Sequence, residues 1–175
     1  MEKALLLLCL TSSSVFANTG GMSFIGSISE STCNMVGEQD GQLGNNIDLG
    51  IYSTSQVNTG LSFALPFNLL GIDNNGSICT DDFVDISWIP SDGWTASTTS
   101  WGAYGIKNKG TAKNVIIRIM DKNSVEFNSQ RDNITYKKGD IINGRLPFKT
   151  QIVSSNGKTT AGTVIATTHF AVAYR

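Results

Sequence analysis

The chain has 175 residues, and its 13 Lys and Arg nearly balance 14 Asp and Glu, which gives a net charge of −1. A near-neutral chain without a basic stretch is not expected to bind nucleic acid. Glycine occurs 18 times, and long helical patterns are missing. This composition is typical of many short strands joined by turns, in one domain of ordinary size.

The first seventeen residues have the pattern of a secretory signal peptide. Lys3 provides a basic start, residues 4–10 form an apolar run too short to span a bilayer, and Ala17 offers a small residue at the cleavage point. We therefore expect cleavage after Ala17 and export of the remaining chain. The alternative is that this segment is a buried N-terminal helix.

Residues 18–27 form a glycine-rich segment that still alternates like a strand. So much glycine makes a stable strand unfavourable on its own. Alternation nevertheless places every second side chain on one face. That face would carry Gly20, Met22, Phe24 and Gly26. The pattern predicts a segment that becomes a strand by pairing with another element. A disordered tail or an ordinary first strand are the alternatives.

Two cysteines, Cys33 and Cys79, remain after removal of the signal segment. In an exported protein such a pair predicts a disulfide. A metal site is disfavoured, because two Cys and one His are too few ligands. No cofactor is expected.

Alternating apolar residues predict strands along the rest of the chain. The predicted strand faces are Leu61–Phe63–Leu65–Phe67–Leu69, Val84–Ile86–Trp88, Val115–Ile117–Ile119 and Leu146–Phe148–Ile152. Of these, Val84–Ile86–Trp88 is expected to point inward. Pro66 and Pro147 indicate that their strands lie near edges or bulges, because proline cannot donate to a ladder. About seven strands predict an antiparallel, immunoglobulin-like β-sandwich without a second domain.

The last predicted strand covers Gly162 to Arg175 and alternates up to its end. Its apolar face carries Val164, Ala166, Thr168, Phe170, Val172 and Tyr174.

This ending resembles the C-terminal signature of bacterial chaperone–usher pilins of the type 1-like family: a glycine fourteen residues from the end, alternating apolar residues and a penultimate tyrosine. The rest of the mature chain resembles the family in the same order. Gly26 lies seven residues before Cys33, residues 66–69 lead to Cys79, and residues 110–121 follow the pattern G-x-A-x-x-V-x-I-x-I-x-D. The stretch 150–153 departs from the family, since it lacks the usual aromatic residue.

The resemblance implies an all-β fold, an incomplete immunoglobulin-like sandwich that lacks its final strand and is completed by a donor strand. Residues 1–17 would be the signal peptide, 18–27 the donor-strand extension and 28–175 the pilin domain. The donor residues would be Gly20, Met22, Phe24 and Gly26. The strand that lines the groove and contacts the chaperone would comprise Gly162, Val164, Ala166, Phe170, Val172, Tyr174 and Arg175.

The resemblance also implies partners and a location. The partners would be a periplasmic pilus chaperone, an outer-membrane usher and neighbouring pilin subunits of the same fimbria. The chain would pass through the periplasm to the cell surface and serve there as a structural subunit of a fimbria that supports cell adhesion.

Two other functions can be read from the residues. An enzyme is not expected, because His169 is the single histidine and the acidic group of Asp81, Asp82 and Asp85 suits a solvated loop. A carbohydrate-binding adhesive subunit is the alternative to a purely structural one. Its host glycan would stack on the aromatic region from Trp88 to Tyr104, which also contains Trp94 and Trp101.

Overall fold

The computed structural model describes residues 33–79, 82–99 and 102–174. These ranges contain ten strands and two short helical segments. The strands are β1 (Asn34–Gln39), β2 (Gln42–Leu43), β3 (Leu65–Ile72), β4 (Phe83–Pro90), β5 (Trp94–Ala96), β6 (Tyr104–Lys107), β7 (Val115–Asp121), β8 (Asn133–Lys137), β9 (Arg145–Ser154) and β10 (Thr168–Tyr174). The helical segments are α1 (Thr54–Asn58) and a 3-10 turn at Lys138–Asp140. The predicted all-β class is confirmed.

The strands form two antiparallel sheets. The larger sheet has the order β2-β1-β3-β9-β7-β6-β5, and the smaller sheet has the order β10-β4-β8. Side chains of both sheets meet in one core, to which Phe67 and Leu69 contribute from the larger sheet and Val84, Ile86 and Trp88 from the smaller. The molecule is therefore a β-sandwich, with β10 at an edge of the smaller sheet.

Aromatic rings fill the centre of the core. The Trp88 indole contacts the rings of Phe67, Phe127, Phe148 and Phe170 edge to face, with centroids between 5.2 and 6.4 Å apart. Such edge-to-face pairs add to the stabilisation that burial gives. The predicted inward position of Trp88 is confirmed, because only 4% of it is exposed.

The prediction that Leu61 and Phe63 share one strand face with Leu65, Phe67 and Leu69 is wrong. The strand begins at Leu65, and Leu61 and Phe63 are 67% and 70% exposed. The buried residue of this stretch is Ser62, whose hydroxyl donates to the carbonyl of Ile152. That bond turns the stretch so that its odd-numbered side chains face outward.

The strands of Pro66 and Pro147 lie inside the larger sheet, although each of these two prolines has a neighbour on one side only. Pro66 pairs with Lys149 of β9, whereas the pairing of β3 with β1 ends at Asn68. Pro147 pairs with Asn68, whereas the pairing of β9 with β7 ends at Phe148. Each proline therefore stands where one neighbouring strand has ended, and its missing N–H leaves no gap in a ladder.

The predicted disulfide is present between Cys33 and Cys79. It ties the start of β1 to the segment that precedes β4. The predicted signal peptide and the segment 18–27 lie outside the described residues. In the part of the chain that the structure describes, no helix is long and apolar enough to cross a membrane.

Candidate functional site

The sandwich is open along one side, between β10 and the segment 45–52. Two adjoining cavities of about 490 and 900 Å³ lie there. They form one continuous groove, since both are lined by Asn45, Asn46, Ile47, Leu49 and Ala166.

Core side chains form the floor of the groove. In the first cavity these side chains are Phe67, Leu69, Trp88, Ile106, Ile117 and Ile119. In the second cavity they are Val57, Ala112, Val115 and Ile152, which form a smaller apolar cluster. These floor side chains are themselves buried, with at most 5% of each residue exposed, so the groove lies directly over the core.

The wall on one side is the C-terminal segment, and its alternation agrees with the sequence. Ala166, Phe170, Val172 and Tyr174 pack against the main core, and Val164 packs against the smaller cluster. All five are only partly buried, and three of them, Val164, Ala166 and Phe170, line the groove. Thr168 also lines the first cavity.

The C-terminal strand is shorter than predicted, since β10 begins at Thr168 rather than at Gly162. Residues 163–167 are held by single hydrogen bonds instead of a ladder. The carbonyls of Thr163, Ile165 and Thr167 accept from the N–H groups of Ala112, Lys109 and Ser91 respectively.

These bonds determine which main-chain groups face the groove. The carbonyls of the odd-numbered residues 163, 165 and 167 point away from the groove, toward the segments that donate these hydrogen bonds. In an extended chain, successive main-chain groups point to opposite edges. The N–H and C=O groups of Val164, Ala166 and Thr168 are therefore directed toward the groove edge.

The opposite wall is the segment 45–52, which belongs to no strand. The N–H of Gly44 donates to the carbonyl of Gly37, and the side chain of Gln39 bonds the main chain of Asp48 in both directions. Within the described residues, no main-chain hydrogen bond joins this segment to residues 163–174. The two walls thus stand apart, each with main-chain groups along its rim.

At one end of the groove, two segments of the chain cross at very short distance. A Cβ on Gly162, whose φ is +154°, would overlap the main-chain nitrogen of Ala112, and a Cβ on Gly110 would overlap the carbonyl of Thr163. Only glycine fits at either position without moving the backbone. Gly162 therefore sets the distance between the C-terminal segment and the chain before β7.

At the other end, the hydroxyl of Tyr174 donates to the carbonyl of Cys33 at 3.2 Å. This bond places the end of β10 beside the start of β1. Of the predicted site residues, Arg175 and the four donor residues Gly20, Met22, Phe24 and Gly26 lie outside the described residues.

The residues considered for other functions do not come together. His169 is an exposed residue of β10 that lies beside the groove. Asp82 forms an exposed ion pair with Lys138, and Asp85 accepts a hydrogen bond from Thr135. No group of three or more potential metal ligands occurs among the residues with described positions. Asp81 lies outside them.

The aromatic region does not form a flat stacking surface in the described residues. Trp88 belongs to the core, and Trp94 is partly buried against it. Tyr104 is 41% exposed, and Trp101 lies outside the described residues. The alternative in which Trp88 stacks on a sugar is not supported, because its ring is buried among other aromatic rings.

Sequence reasoning missed the wall opposite β10 and the helix beside it. Ile47, Leu49 and Ile51 alternate in the sequence, although flanking Asn and Gly residues interrupt the pattern. Helix α1 has a capping box, in which Ser53 and Gln56 bond each other's main-chain N–H groups. That Ser-x-x-Gln signal could have revealed the helix, whose Val57 forms part of the groove floor.

No family model and no curated protein matches the chain. Several solved structures resemble it, among them two from pili. The P pilus rod subunit PapA is 16% identical with a TM-score of 0.49, over 89% of this chain and 100% of that chain. A chaperone–usher pilus, from a structure concerned with rod uncoiling, is 14% identical with a TM-score of 0.44, over 94% of this chain and 100% of that chain. Neither likeness assigns a role to any residue of this chain.

Proposed function

We propose that this chain is a structural subunit of a surface fimbria that polymerises by donor-strand exchange. The observation that carries the proposal is the open groove between β10 and residues 45–52. The groove has core side chains as its floor, and the main-chain groups of Val164, Ala166 and Thr168 are directed toward its edge. The sequence resemblance to chaperone–usher pilins supplies the biological setting.

An added strand is the occupant that suits this groove chemically. A strand laid between the two walls can bond the rims with its main chain and fill the floor with alternate side chains. Covering apolar surface stabilises by about 25 cal/mol per Å². Leaving such an edge open invites aggregation. The groove therefore favours a donated strand over a small rigid ligand.

In this proposal the chain is exported through the periplasm, where a chaperone covers the groove. The chaperone contacts the C-terminal strand and the terminal residues Tyr174 and Arg175. At the outer-membrane usher, the extension of the next subunit, carrying Gly20, Met22, Phe24 and Gly26, replaces the chaperone. The assembled fimbria then supports cell adhesion at the surface.

The proposal is tested with two matched substitutions in the extension. Phe24→Arg places a charge on the face that would enter the groove, whereas Ile25→Arg places the same charge on the opposite face. We expect Phe24→Arg to abolish incorporation into fibres and Ile25→Arg to retain it. Circular dichroism should show that both variants are folded. Normal fibres from the Phe24→Arg chain would refute the donor assignment.

A further inference from the structure

The two walls of the groove are held to the domain in different ways. The C-terminal wall is fixed by its main chain, through the ladder between β10 and β4 and through the hydrogen bonds of residues 163–167. The opposite wall, residues 45–52, belongs to no strand. Within the described residues, only the side chain of Gln39 bonds the main chain of this wall from outside it.

The Gln39 amide makes two hydrogen bonds with a single residue of the wall. Its Nε2 donates to the carbonyl of Asp48 at 2.9 Å, and its Oε1 accepts from the N–H of Asp48 at 2.6 Å. Two facing residues of an antiparallel ladder exchange the same kind of bond pair. The side-chain amide therefore takes the place of the strand residue that this wall lacks.

Gln39 is itself well placed to hold another segment. It is the last residue of β1, where it pairs with Gln42 of β2. Asp40 and Gly41 connect the two strands with φ angles of 52° and 78°, which suit the two-residue turn of a tight hairpin. The two bonds to Asp48 therefore extend from a hairpin whose geometry is fixed by its own main chain.

These bonds hold the wall at the point where the two cavities of the groove meet. On one side of Asp48, Ile47 packs against the main core, and on the other side Leu49 packs against the smaller apolar cluster. Both side chains line both cavities, whereas Asp48 is exposed. Fixing the main chain of Asp48 thus places two lining side chains at once.

We propose that Gln39 is a positioning residue, which holds the wall 45–52 where an occupant of the groove can pack and bond against it. This inference rests on the proposed function and adds a residue that controls how tightly the occupant is held. An occupant must contact both walls at once, and neighbouring strands lie about 4.8 Å apart. Without the two bonds the wall spends less time at that spacing, and the apparent affinity falls with the populated fraction.

The test compares fibres from cells that produce the full-length wild type, Gln39→Ala or Gln42→Ala. Gln42 is the matched control, because it is exposed on the facing strand and its side chain has no hydrogen-bond partner among the described residues. The rate at which purified fibres release monomers on warming is measured. Loss of two hydrogen bonds should raise this rate about tenfold for Gln39→Ala. Gln42→Ala should keep the wild-type rate.

Gln39→Glu distinguishes positioning from a general loss of stability. An ionised carboxylate accepts from the N–H of Asp48 but cannot donate to its carbonyl, whereas a protonated carboxyl can do both, as the amide does. Of the nearby acidic residues, Glu38 is paired with Arg145. Asp40 and Asp48 favour the protonated form of the new carboxyl by their negative charge.

The release rate of Gln39→Glu fibres is therefore compared with that of wild-type fibres at the same pH. We expect faster release than wild type at about pH 7.5, and nearly the wild-type rate at about pH 4, below the ordinary pKa of a glutamate. If Gln39→Ala yields no fibres, this pH dependence decides by itself.

Equal release rates for wild type and Gln39→Ala would overturn the inference and leave the donor-strand function standing. The inference would also be overturned if Gln39→Glu fibres release monomers at the same excess rate at both pH values, because the effect would then not depend on the two bonds. If the wild-type chain forms no fibres at all, the proposed function itself fails.

Discussion

The ring of Phe170 meets the indole of Trp88 edge to face, with centroids 5.8 Å apart and planes inclined at 71°. Trp88 is almost fully buried, whereas Phe170 is only partly so. This pair therefore marks the line where the closed core becomes the open groove. A change at Phe170 alters both the stability of the domain and the shape of its open side.

Replacing Phe170 by Ala should destabilise the isolated domain. The substitution removes the contact with Trp88, and truncation of a buried Phe costs about 3–5 kcal/mol. Because Phe170 is only partly buried, we expect a loss of about 2 kcal/mol, measured by denaturant unfolding. The matched control is His169→Ala on the exposed face of the same strand, which should change stability by less than about 0.5 kcal/mol. Equal effects from both variants would show that the groove wall does not pack as described.

Replacing Gly162 by Ala should be more damaging than its small size suggests. The added Cβ would overlap the main-chain nitrogen of Ala112, so one of the two crossing segments must move. Overpacking of this kind costs about 1–3 kcal/mol. Gly139→Ala is the control, because no atom lies within 4 Å of its added Cβ. We expect the unfolding temperature to be clearly lower for Gly162→Ala than for wild type, and to stay near the wild-type value for Gly139→Ala.

Removing the disulfide should destabilise the domain strongly. The bond between Cys33 and Cys79 closes a loop with a sequence separation of 46. Chain-entropy arithmetic gives about 4 kcal/mol for such a loop. The variant with both cysteines replaced by Ser should unfold at a lower denaturant concentration than the oxidised wild type. Wild type treated with reductant should match that variant, and a reductant effect on the double-Ser variant itself would reveal another cause.

The ion pair between Glu38 and Arg145 should make the stability of the domain depend on pH in the acid range. Two hydrogen bonds, at 2.7 and 2.8 Å, run from the guanidinium to this buried carboxylate. Chiefly because of these bonds, the pKa of Glu38 lies below its ordinary value of 4.5. A carboxyl whose pKa is lowered by folding contributes stability above its unfolded pKa, and this contribution is lost as pH falls through the folded value.

We therefore expect the unfolding temperature to fall as pH drops below about 4.5, the ordinary pKa of Glu38. Glu38→Gln should weaken this acid dependence, although it lowers stability at neutral pH. Asp40→Asn removes an exposed carboxylate from the same hairpin and is the control. If Glu38→Gln keeps the full acid dependence, other carboxylates are responsible for it.

The sequence predicted the fold class and the C-terminal wall because strong alternation carries that information. Val84, Ile86 and Trp88 face inward as expected, and so do the partly buried residues from Val164 to Tyr174. A strand's two faces differ in environment, and the two-residue period records that difference directly.

The structural features that the sequence did not predict depend on contacts between segments far apart in the chain. Leu61 and Phe63 continue the alternation of β3, yet Ser62 bonds to Ile152 and turns them outward. In the wall at residues 45–52 the alternation of apolar residues is interrupted. The side chain of Gln39 holds this segment by hydrogen bonds, and no strand ladder does so. Local patterns do not encode such long-range bonds.

The central claim is that the groove lacks a strand, and adding that strand to the same chain tests it most directly. Residues 18–27 are moved from the N-terminus to a position after Arg175, through a short flexible linker, so that they can return along β10 from its Tyr174 end. The control carries the same addition with Phe24→Arg. Burial of Met22 and Phe24 should raise the unfolding temperature by about 10 °C or more over the control. Equal unfolding temperatures for the two variants would contradict the claim that this chain accepts its own extension as a missing strand.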